Sequence, residues 1–321
     1  MKRLSLSLLV VIALMGLFLT LSPRPSLANP LAEGDWFRPI FQGPEIVNPY
    51  LTPRRFLSNP QSRFGEQLVL WEGRVRLHQR LGEKDYLLLA TEAGQVPIYF
   101  AKPTRNLEFD RTGFRVAVKG KIDWRQGQFQ GLQGQSCILL EPPASYSYPV
   151  WQNGRIPSAA DFIAWRILFH NPTQKIAEVE EIAQALVDKC QARHLELALT
   201  ASLIQIESAW DVEAVSRSGA QGLGQLMPRT AAGLGVGDAL DPIQNLEGCT
   251  TMVANLVERW RQGTNPYASV LASYNAGPTL VRSRGGVPPL YAETNNYIYF
   301  IGYLRRDLLR LAQKYAIPGL E

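Results

Sequence analysis

The sequence contains few of the residues from which metal and disulfide sites are built. Among its 321 residues there are three histidines and three cysteines. The histidines, His78, His170 and His194, are far apart in the chain, and neither an HExxH nor a CxxC pattern occurs. We therefore expect no metal site and no cofactor.

The three cysteines leave two interpretations open. Cys190 and Cys249 both lie on apolar stripes with helical spacing and could pair, which would leave Cys137 alone. Equally, all three can be small buried hydrophobic residues.

Charge is scarce as well. The formal net charge is +5 at pH 7, and the basic excess is scattered over the first half of the chain. Such a weak excess does not indicate a polyanionic partner, and we expect no nucleic acid ligand.

The first 28 residues have the pattern of a secretory signal. Lys2 and Arg3 precede the apolar run Leu4–Leu21, which prolines and the small-residue site Ser26-Leu27-Ala28 follow. We expect cleavage after Ala28. The run is just long enough to span a bilayer, so an uncleaved N-terminal membrane anchor is the alternative. Either way we expect an exported protein of the periplasm or cell envelope.

The length of the chain and the change in residue pattern along it predict two domains after this segment. Residues 29–67 are rich in Pro, Arg and Asn and are expected to form an extended or loosely packed lead-in. Residues 68–142 alternate apolar and polar side chains in five short runs separated by turn residues, which predicts a small barrel that is OB-like, as in oligonucleotide- and oligosaccharide-binding proteins. Residues 143–160 are expected to be a linker, and residues 161–321 an all-α domain.

Aromatic residues of the β-rich domain allow two interpretations. They can fill the barrel or its joint with a neighbouring element, or they can form a stacking platform for sugars or bases. They are Trp71, Tyr99, Phe100, Trp124 and Phe129. The domain is also a candidate for contacts with the cell wall or with other envelope proteins.

One carboxylate lies in an otherwise apolar helical surface. Leu199, Leu203, Ile206 and Trp210 have the spacing of one helical face, and Glu207 borders that stripe. Loop residues follow, so Glu207 is near the end of the helix, where the helix dipole and apolar surroundings both favour the protonated carboxyl. Such an acid suits cleavage of a glycosidic bond.

Four sequence blocks around Glu207 resemble those of the soluble lytic transglycosylases, bacterial wall-cleaving relatives of goose-type lysozyme. The blocks are Ile206 to Trp210, Ala214 to Ala231, Asp241 to Gly248, and Ala272 to Pro278 followed by Glu293 to Tyr297. The resemblance covers residues 165–315 approximately and implies a lysozyme-like catalytic domain behind the barrel.

The resemblance implies an activity and a site. The family cleaves the MurNAc-GlcNAc β-1,4 linkage of peptidoglycan glycan strands without water and leaves 1,6-anhydroMurNAc ends, so we expect a murein lytic transglycosylase. Glu207 would be its single catalytic residue, acid first and then base. Substrate-binding roles would fall to Ser216, Gln225, Met227, Tyr274, Asn275 and Glu293, with the Tyr274 hydroxyl fixing the carboxyl or the N-acetyl group.

The chain departs from the family pattern at two places. Gly224 stands where the family usually has methionine, and Cys249 stands near a position that is usually small or a tyrosine. Two other functions stay open. One is a hydrolytic lysozyme or chitinase-like glycosidase on the same fold, with Asp211 or Glu213 as its base. The other is a catalytically idle wall-binding protein.

Overall fold

The computed structural model describes residues 45–146, 158–286 and 291–320. The predicted signal at residues 1–28 lies outside these ranges, as does most of the predicted linker at 143–160. Within the ranges described, helices that are both apolar and long enough to cross a bilayer are absent.

The β-rich half is a closed barrel of five strands. They are β1 (Leu68–Leu81), β2 (Lys84–Thr91), β3 (Gly94–Phe100), β4 (Arg115–Arg125) and β5 (Gln128–Glu141). Their order around the barrel is β1-β2-β3-β5-β4. The β3–β5 pair is parallel and the other neighbours are antiparallel. The barrel and its five strands confirm the sequence expectation, whereas the OB-like assignment stays a prediction.

Two glycines let neighbouring barrel strands approach closely. A Cβ atom on Gly73 would lie 2.4 Å from the carbonyl oxygen of Ala90, and one on Gly120 would lie 2.9 Å from that of Gln133. Any side chain at either position would push the facing backbone away, so glycine is required there.

The segment before the barrel is packed against it. Helix α1 (Pro53–Leu57) buries Phe56 fully, with its ring centroid 5.0 Å from that of Phe129 and 5.6 Å from that of Trp71. The Trp71 indole donates a 2.7 Å hydrogen bond to the carbonyl of Leu51. Residues 45–67 are therefore packed more tightly than their composition indicates.

The aromatic residues of the barrel separate into two groups. Trp71 and Phe100 are buried, and Trp124 packs edge-on against Phe56, so these rings fill the barrel and its closing segment. Tyr99 is 51% exposed, and its ring lies 5.1 Å from that of Tyr86 on the neighbouring strand. Only this tyrosine pair among the described aromatics of strands β2 and β3 is available for stacking from outside.

The second half is helical. Its elements are α2 (Ala159–His170), α3 (Ile176–Ala192), α4 (Leu197–Ser208), α5 (Pro228–Gly233), α6 (Pro242–Trp260), α7 (Pro266–Ala276), α8 (Pro278–Ser283) and α9 (Ala292–Tyr315). The side chain of Asp241 accepts a hydrogen bond from the Gln244 N–H and starts α6, and that of Asn265 does the same for Ala268 and α7. The all-α expectation is confirmed.

Helix α9 packs along the barrel, and both belong to one compact unit. A shared apolar cluster contains Val47, Leu68, Ala117, Ile138, Leu140, Phe300 and Leu304. Around it, the Arg115 guanidinium bonds to Glu72, Glu141 and Asp307. Ile206 of α4 packs against the same cluster, so the barrel contacts both helices that form the site below, α4 and α9.

Candidate active site

Helix α4 carries Glu207 one residue before its end at Ser208. Residues 197–205 are buried on every side of the helix. Leu199 and Leu203 are buried as the apolar stripe predicts, while Trp210 lies beyond the helix end and is fully buried. Glu207 is thus held by a helix that is packed all round, at the end where the helix dipole opposes a negative charge.

The chain turns sharply directly after Glu207. Ala209 and Trp210 both adopt positive φ angles, 52° and 66°, which residues with a side chain rarely do. The Asn171 amide donates hydrogen bonds to the carbonyls of both residues, at 3.2 Å and 3.0 Å. This strained turn is held in place by a side chain from the end of α2, a pattern that is common at functional sites.

The Glu207 carboxyl is the central group of the site. The Tyr297 hydroxyl donates a 2.5 Å hydrogen bond to its Oε1 atom. Burial raises the pKa of Glu207 to about 7, the Tyr297 hydrogen bond opposes that rise, and the charge of Glu293 adds to it. With its pKa near neutrality, a substantial fraction of the Glu207 carboxyl keeps its proton at neutral pH.

A second tyrosine lies in the same cluster. The Tyr274 hydroxyl donates to the Gly224 carbonyl at 2.6 Å and lies 3.3 Å from the Cys249 Sγ. Burial raises the pKa of both tyrosines well above 10 and that of the Cys249 thiol to about 12, so all three groups stay neutral. The expectation that the Tyr274 hydroxyl fixes the carboxyl needs correction, since Tyr297 donates that bond and the proton of Tyr274 is used elsewhere.

The structure connects the two departures from the family pattern. A Cβ atom on Gly224 would lie 2.8 Å from the Cβ and Sγ atoms of Cys249 and 3.0 Å from the Tyr274 hydroxyl. The Cys249 side chain therefore occupies the space beside position 224, and glycine there accommodates it.

The loop between α4 and α5 is folded on itself by two of the predicted site residues. The Ser216 hydroxyl accepts a hydrogen bond from the Ala220 N–H at 2.9 Å. The Gln225 amide donates to the carbonyls of Ala214 and Gly222, at 3.0 Å and 2.9 Å, while Gln225 itself has a φ of 49°. Both side chains thus shape the loop through hydrogen bonds to its own backbone.

The remaining predicted residues have different surroundings. Met227 is 43% exposed at the start of α5. Asn275 Oδ1 accepts a 2.7 Å hydrogen bond from the Thr294 hydroxyl, which ties α7 to the first turn of α9. Glu293 is exposed in that turn and is close enough to Glu207 to raise its pKa.

Two residues of the site had no role assigned from the sequence. Tyr297 stands at the end of the fourth block, and Asn245, fully buried on α6, stands in the third. Asn245 accepts from the Gly224 N–H at 2.7 Å and donates to the carbonyls of Gln221 and Ala239. Both residues lie in the matched blocks, but their contacts join distant parts of the chain. Tyr297 contacts Glu207, 90 positions away, and Asn245 contacts Gly224, 21 positions away.

The three cysteines are buried free thiols, so Cys190 and Cys249 do not pair in this structure. Within residues 45–146, 158–286 and 291–320, groups of three or more His, Cys, Asp or Glu side chains with a metal-binding arrangement are absent.

Comparison with known proteins agrees with this helical half. Residues 186–288 match the family model described as the Transglycosylase SLT domain. A transglycosylase of Enterobacteria phage PRD1 is 29% identical over 150 residues, which are 39% of this chain and 57% of the phage protein. The membrane-bound lytic murein transglycosylase F of Vibrio cholerae is 32% identical over 133 residues, 35% of this chain and 25% of that protein.

Among solved structures, the 70 kDa soluble lytic transglycosylase of Escherichia coli has a TM-score of 0.38 and 19% identity, over 50% of this chain and 31% of that one. The chain thus spans between a quarter and about three fifths of the length of these relatives. The matched region contains Glu207, its loop and the Tyr274 helix, and it is shared with transglycosylases of different total length. Residues 186–288 therefore match a transglycosylase SLT domain, which supports the resemblance of this part of the chain to the soluble lytic transglycosylases.

Proposed function

We propose that this protein is a peptidoglycan lytic transglycosylase. Its substrate would be the MurNAc-GlcNAc β-1,4 linkage, and its product a 1,6-anhydroMurNAc end. The observation that carries the proposal is Glu207, a carboxyl with a pKa raised to about 7 by burial and with a hydrogen bond from Tyr297. A general acid works best with a pKa near the operating pH.

Glu207 acts first as the acid. Tyr297 bonds to Oε1, which leaves Oε2 to hold the proton for the bridging oxygen of the substrate. The bond between the anomeric carbon of MurNAc and that oxygen breaks, and the oxygen leaves with the proton. The N-acetyl oxygen of the same sugar stabilises or attacks the anomeric carbon, so a second carboxylate is not needed.

Glu207, now a carboxylate, acts next as the base. It takes the proton of the MurNAc 6-hydroxyl, whose oxygen closes onto the anomeric carbon as the N-acetyl group departs. The carboxyl regains its proton, and water is not consumed. Burial without a cation favours this return to the protonated form, and Tyr297 stabilises the ionised intermediate state through its hydrogen bond.

The residues around the carboxyl would bind the glycan. Met227 is an exposed apolar side chain next to the loop, and Asn275 and Glu293 lie where α7 meets α9. Ser216 and Gln225 would act through the shape of their loop, and Tyr274 through the position of the Gly224 carbonyl that it holds.

A hydrolytic reaction is the second candidate, and one observation favours a particular base for it. Asp211 accepts a hydrogen bond from the Glu213 N–H, and neither of these two acids contributes to the raised pKa of Glu207, whereas the charge of Glu293 does. A hydrolase on this site would thus use Glu293 to position water. In that case Glu293→Gln would remove reducing-end products.

The partners and location follow from the substrate. The protein would be exported to the periplasm or envelope and would contact glycan strands there. A further wall contact through the barrel would use the exposed Tyr99 and the half-buried Tyr86 beside it, because tyrosine rings stack on sugars. Loss of co-sedimentation with insoluble peptidoglycan in the Tyr86→Ala, Tyr99→Ala double variant would support this contact, and unchanged co-sedimentation would exclude it.

Mass spectrometry of digested peptidoglycan tests the proposal. The wild-type protein should give products one water lighter than ordinary reducing ends, and folded Glu207→Gln should give none. Reducing-end products would assign the hydrolytic reaction instead. Absence of products from both proteins would favour the idle wall-binding alternative.

A further inference from the structure

Two buried amide side chains connect the Glu207–Tyr297 pair to the barrel side of the molecule. The first is Gln205, two residues before Glu207. Its Nε2 donates to the carbonyl of Leu139 on β5 at 3.0 Å, and its Oε1 accepts from the Arg166 guanidinium at 2.7 Å and 3.2 Å. Arg166 in turn donates to the carbonyls of Leu140 and Leu139. The end of β5 thus holds the helix that carries Glu207.

The second amide is Asn296, which directly precedes Tyr297. Its Oδ1 accepts from the Val47 N–H at 3.0 Å, and its Nδ2 donates to the Glu45 carbonyl at 2.8 Å. One side chain therefore satisfies a donor and an acceptor of the same backbone stretch, and that stretch leads into the barrel. Asn296 is 6% exposed, so neither bond is readily replaced by water.

Helix geometry determines which side of α4 and of α9 each of these side chains faces. Residues two apart on a helix point to nearly opposite sides, so α4 presents Gln205 to the barrel and Glu207 to the site. Consecutive residues differ by about 100°, so Asn296 fixes the rotation of the first turns of α9 at the residue before Tyr297. Both partners of the 2.5 Å hydrogen bond are thereby set from outside the site.

We infer that the barrel and the segment leading into it brace the Glu207–Tyr297 hydrogen bond, and that Asn296 is a positioning residue acting through Tyr297. The inference rests on the proposed function for its rate measurements. It assigns the β-rich half a part in the reaction that does not require it to touch substrate.

The same helix offers a matched control. Tyr303 donates a hydrogen bond to Glu72 of β1, so it also ties α9 to the barrel. It lies six residues beyond Tyr297, about 9 Å along the helix. Tyr303→Phe removes a barrel contact of α9 without touching the contact next to Tyr297.

A double-mutant cycle on the full chain tests whether Asn296 acts through Tyr297. In the wild-type background we expect Asn296→Ala to lower kcat about 10-fold with KM nearly unchanged, because small misplacements of reacting groups are costly. In the Tyr297→Phe background the same substitution should change kcat less than about 2-fold. Tyr303→Phe should have little effect in either background. An equal loss in both backgrounds, or no loss in the first, would overturn the inference.

A titration separates this inference from the proposed function. In carbon-13 NMR of glutamate-labelled protein, Asn296→Ala should raise the pKa of Glu207 in the same direction as Tyr297→Phe, because both weaken donation to the carboxylate. The groups that face Glu207 are Tyr297, Tyr274, Cys249 and Glu293, and the variant changes none of them. An unshifted Glu207 would contradict the inference whatever the activity, whereas an inactive wild-type protein would contradict the proposed function alone.

Thermal unfolding of each variant shows whether it is folded. If Asn296→Ala does not fold, Asn296→Ser, which keeps a donor and acceptor at the position, takes its place. Unfolding of both variants would assign Asn296 a purely structural role and would overturn the inference.

Discussion

A buried glutamate, Glu196, and a partly buried one, Glu207, stand at the two ends of helix α4, and their surroundings differ in one decisive way. Glu196, at the start, accepts hydrogen bonds from the Arg305 guanidinium at 2.5 Å and 2.9 Å and from the Tyr267 hydroxyl at 3.3 Å. Glu207, near the end, accepts from Tyr297. In each case α9 supplies a partner, but only Glu196 receives a cation from it.

The difference shows how one helix can carry a structural carboxyl, Glu196, and the carboxyl that we propose as the general acid, Glu207. A helix start attracts negative charge and a helix end repels it. At the start, the ion pair with Arg305 compensates the burial of the charge. At the end, burial raises the pKa of Glu207 to about 7, and the proposed reaction would use the proton held there. The two carboxyls therefore respond to the same substitution, Glu→Gln, in opposite ways.

The largest expected effect is the loss of cleavage in Glu207→Gln. An amide of the same shape cannot give or take the proton, so the rate should fall about 1,000-fold or more. Glycan binding should persist, because the shape of the site is kept. Release of soluble fragments from peptidoglycan measures the rate, and substantial activity in the folded variant would contradict the mechanism.

Glu196→Gln should lower the free energy of unfolding, because it removes the carboxylate that pairs with Arg305. It leaves the Arg305 charge buried and unpaired, which costs about 3–5 kcal/mol of unfolding free energy. Urea unfolding of the two single variants at one pH measures the contrast. A decrease in unfolding free energy of less than about 1 kcal/mol, as for an exposed ion pair, would show that Glu196 and Arg305 do not form a stabilising buried ion pair.

Glu207→Gln should stabilise the fold at high pH. The carboxyl titrates near 4.5 when unfolded and near 7 when folded. Above both values the folded protein carries a buried charge that it disfavours, by about 3 kcal/mol at most, and below 4.5 this cost is absent. The variant should therefore exceed the wild type in unfolding free energy at pH 8 and match it near pH 4. Equal differences in unfolding free energy at both pH values would contradict the raised pKa of Glu207.

Tyr297→Phe tests the effect of the Tyr297 hydroxyl on Glu207. Loss of the hydroxyl removes the one contact that lowers the pKa of Glu207, so that pKa should rise. Activity that depends on protonated Glu207 falls as pH rises through its pKa, so the basic limb of the kcat/KM profile should move to higher pH. The rate below that limb should fall by about 10-fold, the typical cost of a lost hydrogen bond to a charged group. Tyr274→Phe is the control, because the Tyr274 hydroxyl donates to the Gly224 carbonyl and makes no hydrogen bond to Glu207.

The sequence was sufficient where the signal is local. The alternation in the β-rich half predicts the strands, and the blocks around Glu207 predict the match to a transglycosylase domain. These patterns need only neighbours within a few residues, so they are readable without tertiary structure.

What the sequence did not predict depends on distant contacts. A tyrosine hydroxyl has one proton, and nothing local shows that Tyr274 gives it to Gly224 while Tyr297 gives it to Glu207. Likewise the Gln225 amide satisfies backbone carbonyls that only a folded loop brings near it. The lead-in looked loosely packed because its contact with Trp71 lies in another element.

The titration of Glu207 in the wild-type protein tests the central claim most directly. Carbon-13 NMR of glutamate-labelled protein follows the carboxyl carbon, and the resonance missing from Glu207→Gln identifies it. A midpoint near pH 7 is the predicted result, and it would establish an acid that keeps its proton under the conditions of the reaction. A midpoint near 4.5 would mean that the carboxyl is ionised in the resting protein, and Glu207 could not then serve as the general acid proposed here.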